Sequence, residues 1–95
     1  MTMYYKTLTE PWFTLVNMKI KVVEGRLIKP PFAEMKVGDY ITFFNNDFNH
    51  RETTVKIVAM KEYPDFKTML ENETVERCLP GFPSVHDGLS VYYKY

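Results

Sequence analysis

The chain has 95 residues, 45% hydrophobic and 16% aromatic, enough for one domain with an adequate rather than generous core, and this excludes a disordered segment. Its twelve basic and twelve acidic side chains cancel, which excludes a strongly electropositive protein that coats nucleic acid indiscriminately but leaves a local basic cleft open. No signal-like start is visible and no apolar run approaches the roughly 20 residues that span a bilayer, so no membrane partner is expected.

Met3 to Leu8 is β-prone and predicts a first strand. Thr9 or Glu10 can cap a helix, Pro11 suits its first turn, and Trp12, Phe13, Leu15, Val16 and Ile20 recur at helical spacing. A helix over Thr9 to Met18 follows, with Trp12 in the core. Lys21 to Ile28 reads as a strand that ends at Lys29-Pro30-Pro31, because proline donates nothing to a ladder. Phe32, Ala33 and Met35 make a short apolar turn, Lys36 to Asp39 a tight one, and Tyr40 to Phe44 a strand. Beyond the polar turn Asn45-Asn46-Asp47, the run Thr53 to Met60 predicts a further strand pairing as a hairpin, with His50 and Arg51 as solvated loop residues.

Asp65 can cap a helix carrying Phe66, Met69 and Leu70, with Glu71 and Glu73 on its wetter side; a second short helix starts at Thr74 or continues the first. Neither runs past Leu79, since Pro80, Gly81 and Pro83 stop it. Ser84 with Asp87 three residues on starts a last helix. Cys78 is the single cysteine; it forms no internal disulfide and, with two distant histidines, no zinc site. No metal or cofactor is implied, and an intracellular, cytoplasmic setting is expected. With no repeat and no linker, residues 1–95 read as one α+β domain, short antiparallel strands around one core and helices at the side.

The densest chemistry lies in Met18 to Leu27, MKIKVVEGRL. In a regular strand Glu24 and Arg26 share a face across Gly25, a residue that marks a bulge or a close approach, while Lys21 faces away unless the chain is distorted near Val22 or Val23. A plain exposed edge strand with a weak surface ion pair explains the same residues.

The ordered set Lys21-Val22-Val23-Glu24-Gly25-Arg26-Leu27, Gly38-Asp39 before a strand, Phe66 to Glu71, and Leu79-Pro80-Gly81 with Val85 to Tyr93 resembles the ASCH domain family over all but the first few residues. The resemblance implies a small PUA-like β-barrel with helices packed at its side and a cleft that binds RNA. Some similar folds are small amidohydrolases acting on acetylated cytidine, or ribonucleases. Members usually continue after the last helix into a closing strand that is absent here, so a homodimer or a strand-supplying partner is one expectation and a shortened chain another.

Two functions from different classes remain open. One is an RNA- or nucleotide-binding module with Lys21 and Arg26 for phosphates or base edges and Tyr40 or Tyr63 for stacking. The other is a small hydrolase of a nucleoside amide or an RNA phosphodiester, with Lys21, Glu24 and either Glu71 or Glu76 as catalytic groups. In the amidohydrolase-like members the resemblance puts a lysine at Lys21 and an arginine at Arg26, but a threonine where this chain has Glu24. A protein-interaction domain keeping only the fold is a third reading.

Overall fold

The computed structural model describes residues 1–47 and 50–93. Phe48 and Asn49 of the expected hairpin turn, and Lys94 and Tyr95 after the last helix, lie outside them. Strand β1 (Met3–Thr7) leads into helix α1 (Trp12–Asn17); β2 (Tyr40–Asn45) and β3 (Arg51–Lys56) form the hairpin; α2 (Phe66–Glu73), α3 (Val75–Cys78) and α4 (Val85–Tyr92) follow. The fold is α+β with an open three-stranded sheet in the order β1-β2-β3.

β2 is central because Ile41 and Phe43 give it a side chain set that is buried against the core, while Thr42 pairs across to Thr54, hydroxyl to hydroxyl at 2.8 Å. It runs antiparallel to β3 but parallel to β1, in register from Met3 opposite Tyr40 to Thr7 opposite Phe44. The expected all-antiparallel arrangement is thereby corrected. Residues 8–39 separate the two strands, and that is ample for a parallel crossover carrying α1.

The predicted strand at Lys21 to Ile28 is absent from the sheet. Its valines fit a pleat, but its backbone donors go elsewhere. The N–H groups of Ile20 and Lys21 reach Leu15 O at 2.9 and 3.0 Å, and those of Val22 and Val23 both reach Arg77 O at 3.2 Å. The segment is strung between the end of α1 and the end of α3, where alternation no longer decides which side chains meet.

β3 starts and stops earlier than the Thr53 to Met60 run predicts. Ile57 still pairs with Asp39 and Gly38 at 2.8 Å, but β2 offers nothing beyond, and Val58 and Met60 are exposed. Arg51 is a strand residue, not a loose loop side chain: it donates to Asn45 Oδ1 at 2.9 Å and lies 4.9 Å from the Phe13 ring. His50 is exposed beside it.

The helices begin where their capping residues stand. Asp65 accepts from Thr68 N at 2.7 Å, Thr74 from Arg77 N at 3.4 Å, and Ser84 from Asp87 N at 3.2 Å. Helix α1 is shorter than Thr9 to Met18; there Glu10 Oε1, rather than an N-cap side chain, accepts from Thr14 N at 2.9 Å. Glu73 corrects the reading of a wet α2 face, since it is buried, hydrogen-bonded by the Tyr63 hydroxyl, and flanked by Lys61 at 3.4 Å and Arg77 at 3.5 Å.

Two apolar clusters result. Leu8, Phe13, Met35, Ile41 and Phe43 fill the space between sheet and α1, while Met69, Leu70, Cys78, Leu79 and Val91 join the three later helices. Trp12 packs against both, so the expected core role holds, and it stands where the two clusters meet. No helix among the described residues is long and apolar enough to cross a membrane.

Candidate functional site

Between the β1 end of the sheet and the helices lies a cleft of about 510 Å³, with segment 21–27 along one wall. Lys21 reaches it from beneath. Its residue is 5% exposed, and its ammonium donates to Val23 O at 2.6 Å and to Cys78 O, with Glu24 Oε1 at 3.7 Å. Three N–H groups thus face three acceptors, two of them carbonyls, one at the C-terminus of α3, where a cation is favoured. Burial lowers the Lys21 pKa below the ordinary lysine value, opposed by the charge of Glu24.

Glu24 is shared. Its other carboxylate oxygen lies 3.4 Å from the Arg26 guanidinium, whose side chain stays about one-third exposed. Lys21, Glu24 and Arg26 therefore meet without the bulge that a regular strand would require, because the segment is not a strand. Gly25 between them is buried, and a Cβ there would stand 2.7 and 2.8 Å from the end of the Met69 side chain and 3.1 Å from the Tyr92 hydroxyl. Glycine is what lets α2 and α4 approach this wall.

Lys6 and Arg26 both lie against the Phe32 ring, 5.3 and 5.1 Å from its centroid, and Lys29 lines the same cleft. The buried end is aromatic, with Trp12, Phe66 and Tyr92; the last two rings stack at 4.4 Å and 5°. Lys6, Lys21, Arg26 and Lys29 give the lining four cations against the one carboxylate of Glu24. In a chain of zero net charge, that is a concentrated positive site.

The family model for the ASCH domain matches residues 7–95. The chain belongs to the ASCH domain family. That family is part of the PUA-like superfamily. This ASCH domain is similar to the crystal structure of hypothetical protein PH0355, with 33% identity and a TM-score of 0.86 over 100% of this chain and 82% of that one. It is also similar to the solution structure of protein PF0455 from Pyrococcus furiosus, with 30% identity and a TM-score of 0.75 over 97% and 79%. No curated protein matches it.

Four of the residues singled out in the sequence do not line the cleft of this ASCH domain. Glu71 and Glu76 are exposed on α2 and α3, Tyr40 opens β2, and Tyr63 is occupied by Glu73, whose hydrogen bond to the phenol raises the Tyr63 pKa and lowers its own. Lys6, Lys29, Phe32, Phe66 and Tyr92 line it instead. The sequence carried a faint signal for some of them, basic and aromatic residues flanking Pro30-Pro31, but none for their convergence. Cys78 is fully buried with its pKa raised by that burial, an inert thiol. Among the described residues no three His, Cys, Asp or Glu side chains gather as metal ligands.

Proposed function

We propose that this ASCH domain is an RNA- or nucleotide-binding module whose ligand lies in the cleft walled by segment 21–27. The observation that carries the reading is the collection of Lys6, Lys21, Arg26 and Lys29 around aromatic rings in a chain whose net charge is zero. Arg26 and Lys6, the accessible cations beside Phe32, take phosphate; Lys21 contributes charge from below, its hydrogens being engaged by carbonyls. Membership of a family associated with RNA binding supports the same reading.

A hydrolase using Lys21 and Glu24 has one point in its favour, an amine of lowered pKa 3.7 Å from a carboxylate. Against it stand the engaged ammonium and the positions of Glu71 and Glu76 outside the cleft lining. The outer edges of β1 and β3, unpaired among the described residues, remain available to a strand from a second copy or another chain, which sedimentation at rising concentration tests.

Titration of a short single-stranded RNA against Arg26→Ala tests the binding reading. The variant should bind roughly tenfold more weakly, with the slope of log K on log salt reduced by about 0.7, and should melt within a few degrees of the parent. Unchanged affinity together with a lower melting temperature would make Arg26 structural and remove the reading. Acetylated cytidine incubated with the parent should yield no cytidine.

A further inference from the structure

Along β1 the side chains alternate, and Tyr4 and Lys6 share the less exposed side, where Tyr4 packs on the core. Lys6 is therefore half-buried in a position that suits an apolar residue, and it meets no carboxylate there. Among the described residues neither Lys6 nor Lys29 enters an ion pair. The Lys6 ammonium lies instead 5.3 Å from the centroid of the Phe32 ring, and the Arg26 guanidinium lies 5.1 Å from the same centroid. Two like charges thus stand within a Debye length of each other, ~10 Å at moderate ionic strength, so salt leaves part of their repulsion unscreened. An anion beside both relieves it.

The charge of the lining says which anion fits. Lys21 and Glu24 offset each other at 3.7 Å, and the buried Lys21 ammonium has its hydrogens directed at carbonyls. Lys6, Arg26 and Lys29 remain for a ligand, and Glu24, 3.4 Å from Arg26, is the one carboxylate that lines the cleft. A cleft of about 510 Å³ takes one small ligand rather than a run of nucleotides. An internal phosphodiester brings a single negative charge to three cations, whereas a terminal phosphate brings about −1.5 to −2 and three free oxygens. We propose that the cleft selects a terminal phosphate monoester, on a mononucleotide or at the end of an RNA strand, over an internal phosphodiester, with Lys6 and Arg26 holding that phosphate beside Phe32. It narrows the binding reading above and rests on it. An RNA strand then enters by its phosphorylated end instead of passing through.

The test titrates the parent chain by calorimetry with the four nucleoside 5′-monophosphates, with the methyl esters of those phosphates, and with one short single-stranded RNA carrying a 5′-phosphate, a 3′-phosphate or neither. The monophosphates should bind about tenfold more tightly than their methyl esters, and one of the two phosphorylated RNAs should exceed the unphosphorylated one by a similar factor, which also tells the 5′ end from the 3′ end. Because the second phosphate pKa is about 6, the advantage of the monophosphate should shrink roughly two- to fourfold as pH falls from about 7.5 to about 5.5, while the methyl ester, which has no second proton to take up, sets the baseline for the protein's own groups. Lys6→Met keeps the stem over Phe32, removes the charge, and should cut the preference for the monoester while leaving the methyl ester little changed. Equal affinity for monophosphate and methyl ester overturns the inference, and so does an unaltered preference in Lys6→Met, which would leave Lys6 only guarding the open edge of β1. If RNA binds through Arg26 whatever the state of its ends, the inference alone fails; if neither RNA nor nucleotides bind, the binding reading fails with it.

Discussion

Replacing Lys21 by methionine separates charge from shape at the floor of the cleft. Methionine keeps an unbranched stem near Trp12, whose ring the ammonium approaches to 5.8 Å, and removes the three donors. Val23 O and Cys78 O each lose their side-chain donor, and a buried carbonyl left without one costs about 1–3 kcal/mol. The variant regains part of that by no longer burying an ammonium that is 2% exposed and faces a carboxylate at 3.7 Å. The balance is a loss of about 2–4 kcal/mol, on the order of 10–25 °C in melting temperature for a domain of this size. The pH dependence has a definite sign. Because the folded state lowers the Lys21 pKa, the unfolded chain keeps this proton longer, so the Lys21 contribution to stability rises as pH climbs from the folded value toward the ordinary 10.5. Urea unfolding at neutral pH, and repeated under alkaline conditions, measures both. A Lys21→Met protein as stable as the parent would mean that Lys21 does not tie segment 21–27 to α3, and that its ammonium is free for a ligand.

Glu24→Gln should leave RNA affinity equal or slightly higher, since a carboxylate beside the phosphate site repels, and should change stability by less than about 1 kcal/mol; loss of a measurable turnover would instead favour the hydrolase. Gly25→Ala should cost about 1–2 kcal/mol by urea unfolding and weaken nucleotide binding, as the added methyl displaces the Met69 end and presses on the Tyr92 hydroxyl. On acidification, the stability that Glu73 contributes is complete above its ordinary value of 4.5 and is lost as pH falls through its lower folded value. Glu73→Gln should thus melt lower at neutral pH and show a shallower acid loss, the remainder coming from Asp39 and Asp65, whose backbone hydrogen bonds also lower their pKa.

Locally encoded features were legible in the chain. Asp65, Thr74 and Ser84 announce three helices through their own side-chain bonds to the next turn, and the apolar run Tyr40 to Phe44 announces the central strand. What depended on distant partners was not. Segment 21–27 carries strand-forming valines, yet Leu15 O and Arg77 O claim its amides, and nothing near it in sequence says so. The same holds for charge: Glu73 and Arg51 read as solvated residues until Tyr63, Lys61 and Arg77 surround the first, and Asn45 and Phe13 receive the second. The site was half visible. Lys21, Glu24 and Arg26 lie within six positions, whereas Lys6, Phe32, Phe66 and Tyr92 join them only through the parallel crossover and the packing of α2 and α4.

Backbone amide shifts followed by NMR, as unlabelled single-stranded RNA is added to the labelled chain, bear most directly on the claim that the cationic aromatic cleft is the binding site. The account predicts perturbations confined to Lys6 to Trp12, segment 21–27, Lys29, Phe32, Phe66, Leu79 and the Val91–Tyr92 end of α4, weakened together by Arg26→Ala. Shifts centred on the exposed face of β3, or none at all at saturating RNA, would contradict it.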